Sequence, residues 1–391
     1  ECESHESGGS PMTCKETMLS RREYLATSGG LAVGGLALSA GAGDAKAAGP
    51  GDTKGISHPR RARLSFNENP FGPAPSALAA IRDDFGELCR YVDEPDDVLT
   101  RAIVAREVVS ADQIVLGEIL QALGFRMATD GPSGAEFLYS APGYTALVDA
   151  VAPAGGVAIG VPLNQTLQND LPAIAAKTTA RTRAIYLVNP HNPTGTVTDA
   201  ATFLDFVREM SKRTTVIVDE AYLEFEPDFA QRTAAGLTRA GENVVVFRTF
   251  GKMYGLAGMA VGYAIAPKAI AASMKRAGIG GPGMLDRLAL TAAAASLQDD
   301  DYVQSTRAKV TAEREKWNEL FGTLKLRHTD SRANFVFFET GRPHQQIVAA
   351  LGAKGIDIGR AFPPLENWTR ISIGLPQENA MARAAITELL T

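Results

Sequence analysis

Arg248-Thr249-Phe250-Gly251-Lys252-Met253-Tyr254-Gly255-Leu256-Ala257-Gly258-Met259-Ala260-Val261-Gly262-Tyr263 carries one lysine, Lys252, among glycines and apolar side chains. Residues 244–247, just before it, are β-branched or aromatic and follow Gly241 and Asn243, which predicts a strand delivering Arg248 and Thr249 into a loop. That loop is too apolar for a solvated surface segment, and its glycines allow tight turns and close backbone approach. Two earlier stretches end in the same way. Val216-Ile217-Val218-Asp219-Glu220-Ala221-Tyr222 reads as a buried strand ending in a carboxylate and a phenol. Tyr186-Leu187-Val188-Asn189-Pro190-His191-Asn192-Pro193-Thr194-Gly195 reads as another, running into a polar turn. Open α/β sheets bind ligands beyond the carboxyl ends of their strands, so Asn192, Asp219, Tyr222 and Lys252 are expected to converge at that edge.

A lysine, an acid and hydrogen-bonding side chains are what a pyridoxal cofactor requires. The amine forms a Schiff base with the aldehyde, the acid keeps the ring nitrogen protonated, and donors at the ring hydroxyl tune the imine. In order and spacing, residues 189–195, 218–225 and 248–258 resemble the fold-type I pyridoxal-phosphate aminotransferases, and within them the histidinol-phosphate aminotransferase group. The resemblance runs from about Leu64 to the C-terminus. It implies an α/β enzyme with a mostly parallel large-domain sheet and a smaller α+β domain. The implied division is an arm over 64–89, a large cofactor domain over 90–278, and connecting helices with the small domain over 279–391. It further implies a homodimer that uses pyridoxal 5'-phosphate to move an amino group between an amino acid, or an amino-acid-like substrate of histidinol-phosphate type, and a keto acid.

The same resemblance assigns roles. Lys252 would hold the cofactor, Asp219 would face its ring nitrogen, and Asn192 and Tyr222 its hydroxyl. Tyr144, in Ser140-Ala141-Pro142-Gly143-Tyr144, would stack on the ring. Thr249 and the turn at Gly117 would meet the phosphate, and Tyr91, in Arg90-Tyr91-Val92-Asp93, would reach the phosphate of the partner subunit. Arg370 would clamp the acidic group of the substrate, with Arg360 as a second arginine. His191 reads as a loop residue, and Glu220 and Glu224 are given no chemistry.

Three departures from the family bear on one function. Gly251 stands where a phosphate-binding serine is usual, Ala260 where an arginine is usual, and the chain passes from Gly117 straight to Glu118 where relatives have a longer glycine-rich turn. Together they point to a rebuilt anion site, weaker cofactor retention or a different cofactor form, with Arg248 a candidate for the missing charge. Two rival readings stay open: other chemistry on the same cofactor (lyase, decarboxylase, racemase or amine oxidation), or an exported binding protein without turnover.

The chain's 391 residues, 45% hydrophobic, suffice for a large and a small domain. A formal charge of −5 argues against an electrostatic nucleic-acid partner. Residues 1–17 are polar, and Met18 is the more natural start. Arg21-Arg22, a mild Ala, Gly and Leu stretch to Ala42, and the small residues around Ala47 resemble a twin-arginine export signal. Residues 48–63 read as a linker. Periplasmic export is therefore expected, with a cytoplasmic location as the alternative. The apolar part is too short and glycine-rich for a permanent membrane span. Cutting near Ala47 would remove Cys2 and Cys14 and leave Cys89 without an intramolecular disulfide partner.

Overall fold

The computed structural model describes residues 61–93 and 97–391. The export-signal reading, with Arg21, Arg22, Cys2 and Cys14, lies outside them. A short strand β1 (Ala62–Leu64) comes first. The main sheet follows, built from β2 (Ile114–Leu116), β3 (Glu136–Ala141), β4 (Val157–Pro162), β5 (Thr182–Val188), β6 (Thr215–Asp219), β7 (Val244–Thr249) and β8 (Gly262–Ile265). Their spatial order is β2-β8-β7-β6-β5-β3-β4. The pairs β4–β3, β3–β5, β5–β6 and β6–β7 are parallel. Strand β8 runs antiparallel to both β7 and β2, so it alone is reversed in this sheet. The mostly parallel α/β architecture expected from the sequence is thus present.

The apolar runs form central strands because both faces of the sheet are covered. Along β6, Val216 and Val218 enter one hydrophobic cluster and Ile217 the other; β5 divides Ile185 and Leu187 from Ala184 and Tyr186 in the same way. Helix Ala200–Ser211 covers one face with Phe203, Val207 and Met210, spaced for one helical stripe. Asp199 caps it by accepting the Thr202 N–H. Helix Leu120–Thr129 covers the other face with Leu123 and Met127.

After the main sheet, the 25-residue helix Asp300–Leu324 leads to β9 (Phe335–Glu339), β10 (Ile356–Ile358) and β11 (Trp368–Ser372). Strands β9 and β11 pair antiparallel, while β10 pairs in parallel with β1. This corrects the linker reading at its end. Ala62 and Leu64 alternate inward with Arg63 outward, a strand pattern too short to stand out in sequence. Helix Pro75–Asp83 follows the arm, and Ser76 in its first turn spends its hydroxyl on Asp299.

Arg248, at the end of β7, is 1% exposed. Its guanidinium donates to Glu220 at 3.0 Å, to Thr233 at 2.7 Å, to the Tyr263 hydroxyl at 3.2 Å and to Glu107. Arg248→Met leaves two buried carboxylates without their cation and is expected to cost about 3–5 kcal/mol. The check is a lowered urea midpoint at unchanged slope.

Candidate active site

The carboxyl ends of β3, β5, β6 and β7, the turn after β2 and the entry to β8 open onto a cavity of about 880 Å³. Its walls include Tyr144, Asn192, Asp219, Tyr222, Thr249, Lys252, Arg360 and Arg370, so eight of the expected residues come together. Tyr91 and Gly117 do not line it. Tyr91 is 96% exposed on this chain. Gly117 adopts φ +109, and its N–H bonds to the Gly262 carbonyl at 2.7 Å, which tightens the turn and leaves Glu118 facing the cavity.

Asp219 is buried at the end of β6. It accepts the Tyr186 hydroxyl at 2.8 Å and the Ala221 N–H at 3.0 Å. Burial pushes it up to about 6, with those two hydrogen bonds and Lys252 opposing. Lys252 donates to the Phe66 carbonyl at 3.1 Å and lies 6.0 Å from the centre of the Tyr222 ring. The Tyr222 hydroxyl accepts from Asn192 at 3.2 Å and from Asn67 at 3.1 Å.

Arg370 continues that chain, donating to Asn192 Oδ1 at 2.6 Å and to the Ser65 carbonyl at 2.9 Å. It lies over the rings of Phe335 and Phe362, and its Nε is buried without a partner. No described carboxylate pairs with it. Burial lowers it to about 10, opposed by Tyr222 and reinforced by Arg360. A desolvated guanidinium with a spare donor is a receptor for an incoming anion. Arg360 is exposed at the rim, donating to the Gly143 carbonyl at 3.3 Å and lying over Phe362.

Asn67, Phe66, Ser65 and Tyr186 were not singled out as site residues. Asn67 takes φ +55, which asparagine tolerates better than most residues, and the turn-rich segment around it was the available signal. Tyr186 gave none, because a tyrosine inside an apolar run reads as core.

The donors suit a pyridoxal ring: a lysine, a buried acid, a flanking tyrosine and an asparagine–tyrosine pair share one cavity. The flank between β2 and β7 suits a phosphate less well. There the Glu118 carboxylate accepts the Thr249 hydroxyl, the Gly251 N–H is already given to Thr249 Oγ1 at 2.9 Å, and Ala260 offers a methyl. Arg248 does not supply the missing charge, being held inside the protein by Glu107 and Glu220. His191 is buried, with Nδ1 3.0 Å from the Thr194 hydroxyl, and burial lowers it to about 3, so it stays neutral. Among the described residues, no group of His, Cys, Asp or Glu side chains is placed to hold a metal ion.

The model of the aminotransferase class I and II family matches residues 62–386. A histidinol-phosphate aminotransferase of Limosilactobacillus fermentum is 34% identical, over 85% of this chain and 91% of the relative. An aromatic amino acid aminotransferase of Thermobifida fusca is 35% identical, over 82% of this chain and 88% of its own length. The crystal structure of histidinol-phosphate aminotransferase from Sinorhizobium meliloti, in complex with pyridoxal-5'-phosphate, superposes with a TM-score of 0.76 at 30% identity, covering 84% of this chain and 90% of that one.

Proposed function

Because the chain belongs to the aminotransferase class I and II family, it is a pyridoxal-phosphate-dependent transaminase, and we propose that it transfers the amino group of an acidic amine of histidinol-phosphate type to a keto acid. The observation that carries the substrate class is Arg370, buried, without a carboxylate and with Nε unsatisfied. A carboxylate or phosphate supplies the missing partner.

When bound, pyridoxal 5'-phosphate supplies an electrophilic aldehyde and an electron-withdrawing ring, chemistry that side chains do not offer. Lys252 would hold it covalently and, once freed by the incoming substrate amine, its Nζ would take the proton from the α-carbon of the substrate and hold it for return. Asp219 keeps a proton on the ring nitrogen, while Tyr186 and the Ala221 N–H fix the carboxylate in place. Tyr144 would flank the ring, and Asn192 and Tyr222 would meet its hydroxyl; the bond from Arg370 to Asn192 would link the substrate's anion to that same pair.

The test is an assay of the purified protein on a panel of amines, histidinol phosphate and aromatic amino acids among them, with and without a keto acid. Borohydride reduction and peptide mapping are expected to place the cofactor on Lys252. Product formed without any keto acid would replace transamination by one of the other chemistries. Arg370→Leu is expected to lower kcat/KM by about 30- to 1,000-fold, the effect of removing one partner from a desolvated charge pair.

Three further readings belong to the same proposal. The enzyme is a homodimer whose exposed Tyr91 completes the site of the partner, which light scattering and a Tyr91→Phe variant address. It is exported through the twin-arginine route, which cell fractionation with Arg21 and Arg22 replaced by lysine checks. The domain division at about residue 278 is supported by the main sheet ending at Ile265 and the second sheet beginning at Phe335.

A further inference from the structure

The order of the strands fixes where each substituent of a pyridoxal ring must go. Around that ring the aldehyde lies between the hydroxyl and the phosphate-bearing arm. With the aldehyde at Lys252 and the hydroxyl towards Asn192 and Tyr222, on the β5 and β6 side, the arm points the other way, towards β7 and β2. The groups waiting there are Glu118, Thr249, Gly251 and Ala260. The cations that line the cavity are Lys252, which is committed to the aldehyde, and Arg360 and Arg370, which belong to the rim and to the Asn192 side. A dianion thus arrives beside a carboxylate, with no lysine or arginine among the described residues of this chain standing there to offset either charge.

We propose that Glu118 receives the cofactor phosphate as a neutral carboxylic acid, donating its own proton to a phosphate oxygen, so that loading the enzyme takes up one proton at this residue. The proposal rests on the reading that the chain holds pyridoxal 5'-phosphate. The balance is simple: the carboxylate gains a solvent proton, no covalent bond changes, and the O–H donates to the phosphate. One hydrogen bond replaces a repulsion between like charges.

The neighbourhood of Glu118 favours that protonation. The cavity leaves the residue exposed, yet desolvation by the surrounding protein pushes its carboxyl up to about 7; the Thr249 hydroxyl and Lys252 oppose the rise and Asp219 adds to it. A cofactor filling the cavity removes the water that the carboxyl now reaches and strengthens the effect. The titratable groups facing it are Asp219 from the end of β6, Lys252 from the loop after β7 and Tyr144 from the loop after β3. Strand β8 presents Gly262, where a Cβ would lie 3.3 Å from Glu118 Oε1, and so leaves the carboxyl room.

The sign follows from linkage. Phosphate binding raises the proton affinity of Glu118, so cofactor affinity is level below pH about 7 and falls above it, by about tenfold per pH unit for one proton. The experiment titrates cofactor-free wild type and Glu118→Gln with pyridoxal 5'-phosphate between pH 6 and 9. Absorbance gives Kd, and calorimetry in two buffers of different ionisation enthalpy counts protons. Every other titratable group is common to the two proteins, so the difference between them reports the charge at position 118.

Wild type is expected to take up about one proton more per cofactor at pH 8 than Glu118→Gln, and the variant to bind about tenfold tighter at that pH. Unphosphorylated pyridoxal, the second probe, should show no such difference. Parallel pH profiles and equal proton counts, with both proteins binding, would overturn the role of Glu118 while leaving the cofactor assignment standing. Failure of wild type to bind at any pH would remove the cofactor assignment itself. Thermal melts of the two cofactor-free proteins establish that the variant folds.

Discussion

Lys252→Ala is expected to abolish amino-group transfer, lowering kcat by about 10⁴-fold or more while leaving a folded protein. Two roles disappear together: the nucleophile that anchors the cofactor, and the base that moves the substrate proton, itself worth about 10²–10⁴-fold. The fold should survive because Lys252 makes one hydrogen bond, to the Phe66 carbonyl, and no ion pair with any described residue. Single-turnover assays measure the loss, and far-UV dichroism checks the fold. An alanine variant as active as wild type would point to a different group as the base and as the attachment point. Lys252→Arg separates the roles further: a guanidinium keeps the charge but cannot release a proton at neutral pH, so it should be equally inactive.

Asp219→Asn is the second large effect, expected at about 10³-fold in kcat/KM, or about 4 kcal/mol. The amide keeps the size of the carboxylate, its oxygen can still accept the Ala221 N–H, and its NH2 can donate to the Tyr186 hydroxyl oxygen, so packing is little altered. What it cannot do is hold a proton on a ring nitrogen opposite it. The loss should therefore appear in the chemical step, with cofactor affinity changed much less. Asp219→Glu is expected to lie between the two proteins, since it restores the charge but displaces it by a methylene in a site where Asp219 is 1% exposed. An asparagine variant with unchanged turnover would mean that the acid is structural.

The edge that carries Asn192, Asp219, Tyr222 and Lys252 was legible because apolar strands stop abruptly at polar or glycine-rich residues, which marks both the strand and the end that bears chemistry. Arg248 was misjudged, although the signal was there. Side chains alternate along β7, so Phe247 and Thr249, which line the cavity, send Arg248 to the opposite face. Residues 65–67 belong to a stretch that resembles the family's arm crossing to the active site, but their individual contacts were not legible, since they depend on hydrogen bonds between residues as far apart as Asn67 and Ser372, separated by 305 positions. Glu118 stood out in sequence only as the residue that follows Gly117 directly where relatives have a longer glycine-rich turn. Its hydrogen bond to Thr249 depends on β2 lying beside β8 at the sheet edge, which strand patterns alone do not reveal.

The segment following β1 is tied at both ends of the chemistry. The Asn67 N–H bonds to the Ser372 hydroxyl at 2.8 Å, and Arg370 holds the Ser65 carbonyl, while the Phe66 carbonyl between them restrains Lys252. The anion receptor and the catalytic amine thus lean on one tripeptide, so a substitution that displaces residues 65–67 would be felt at both ends of the ligand together.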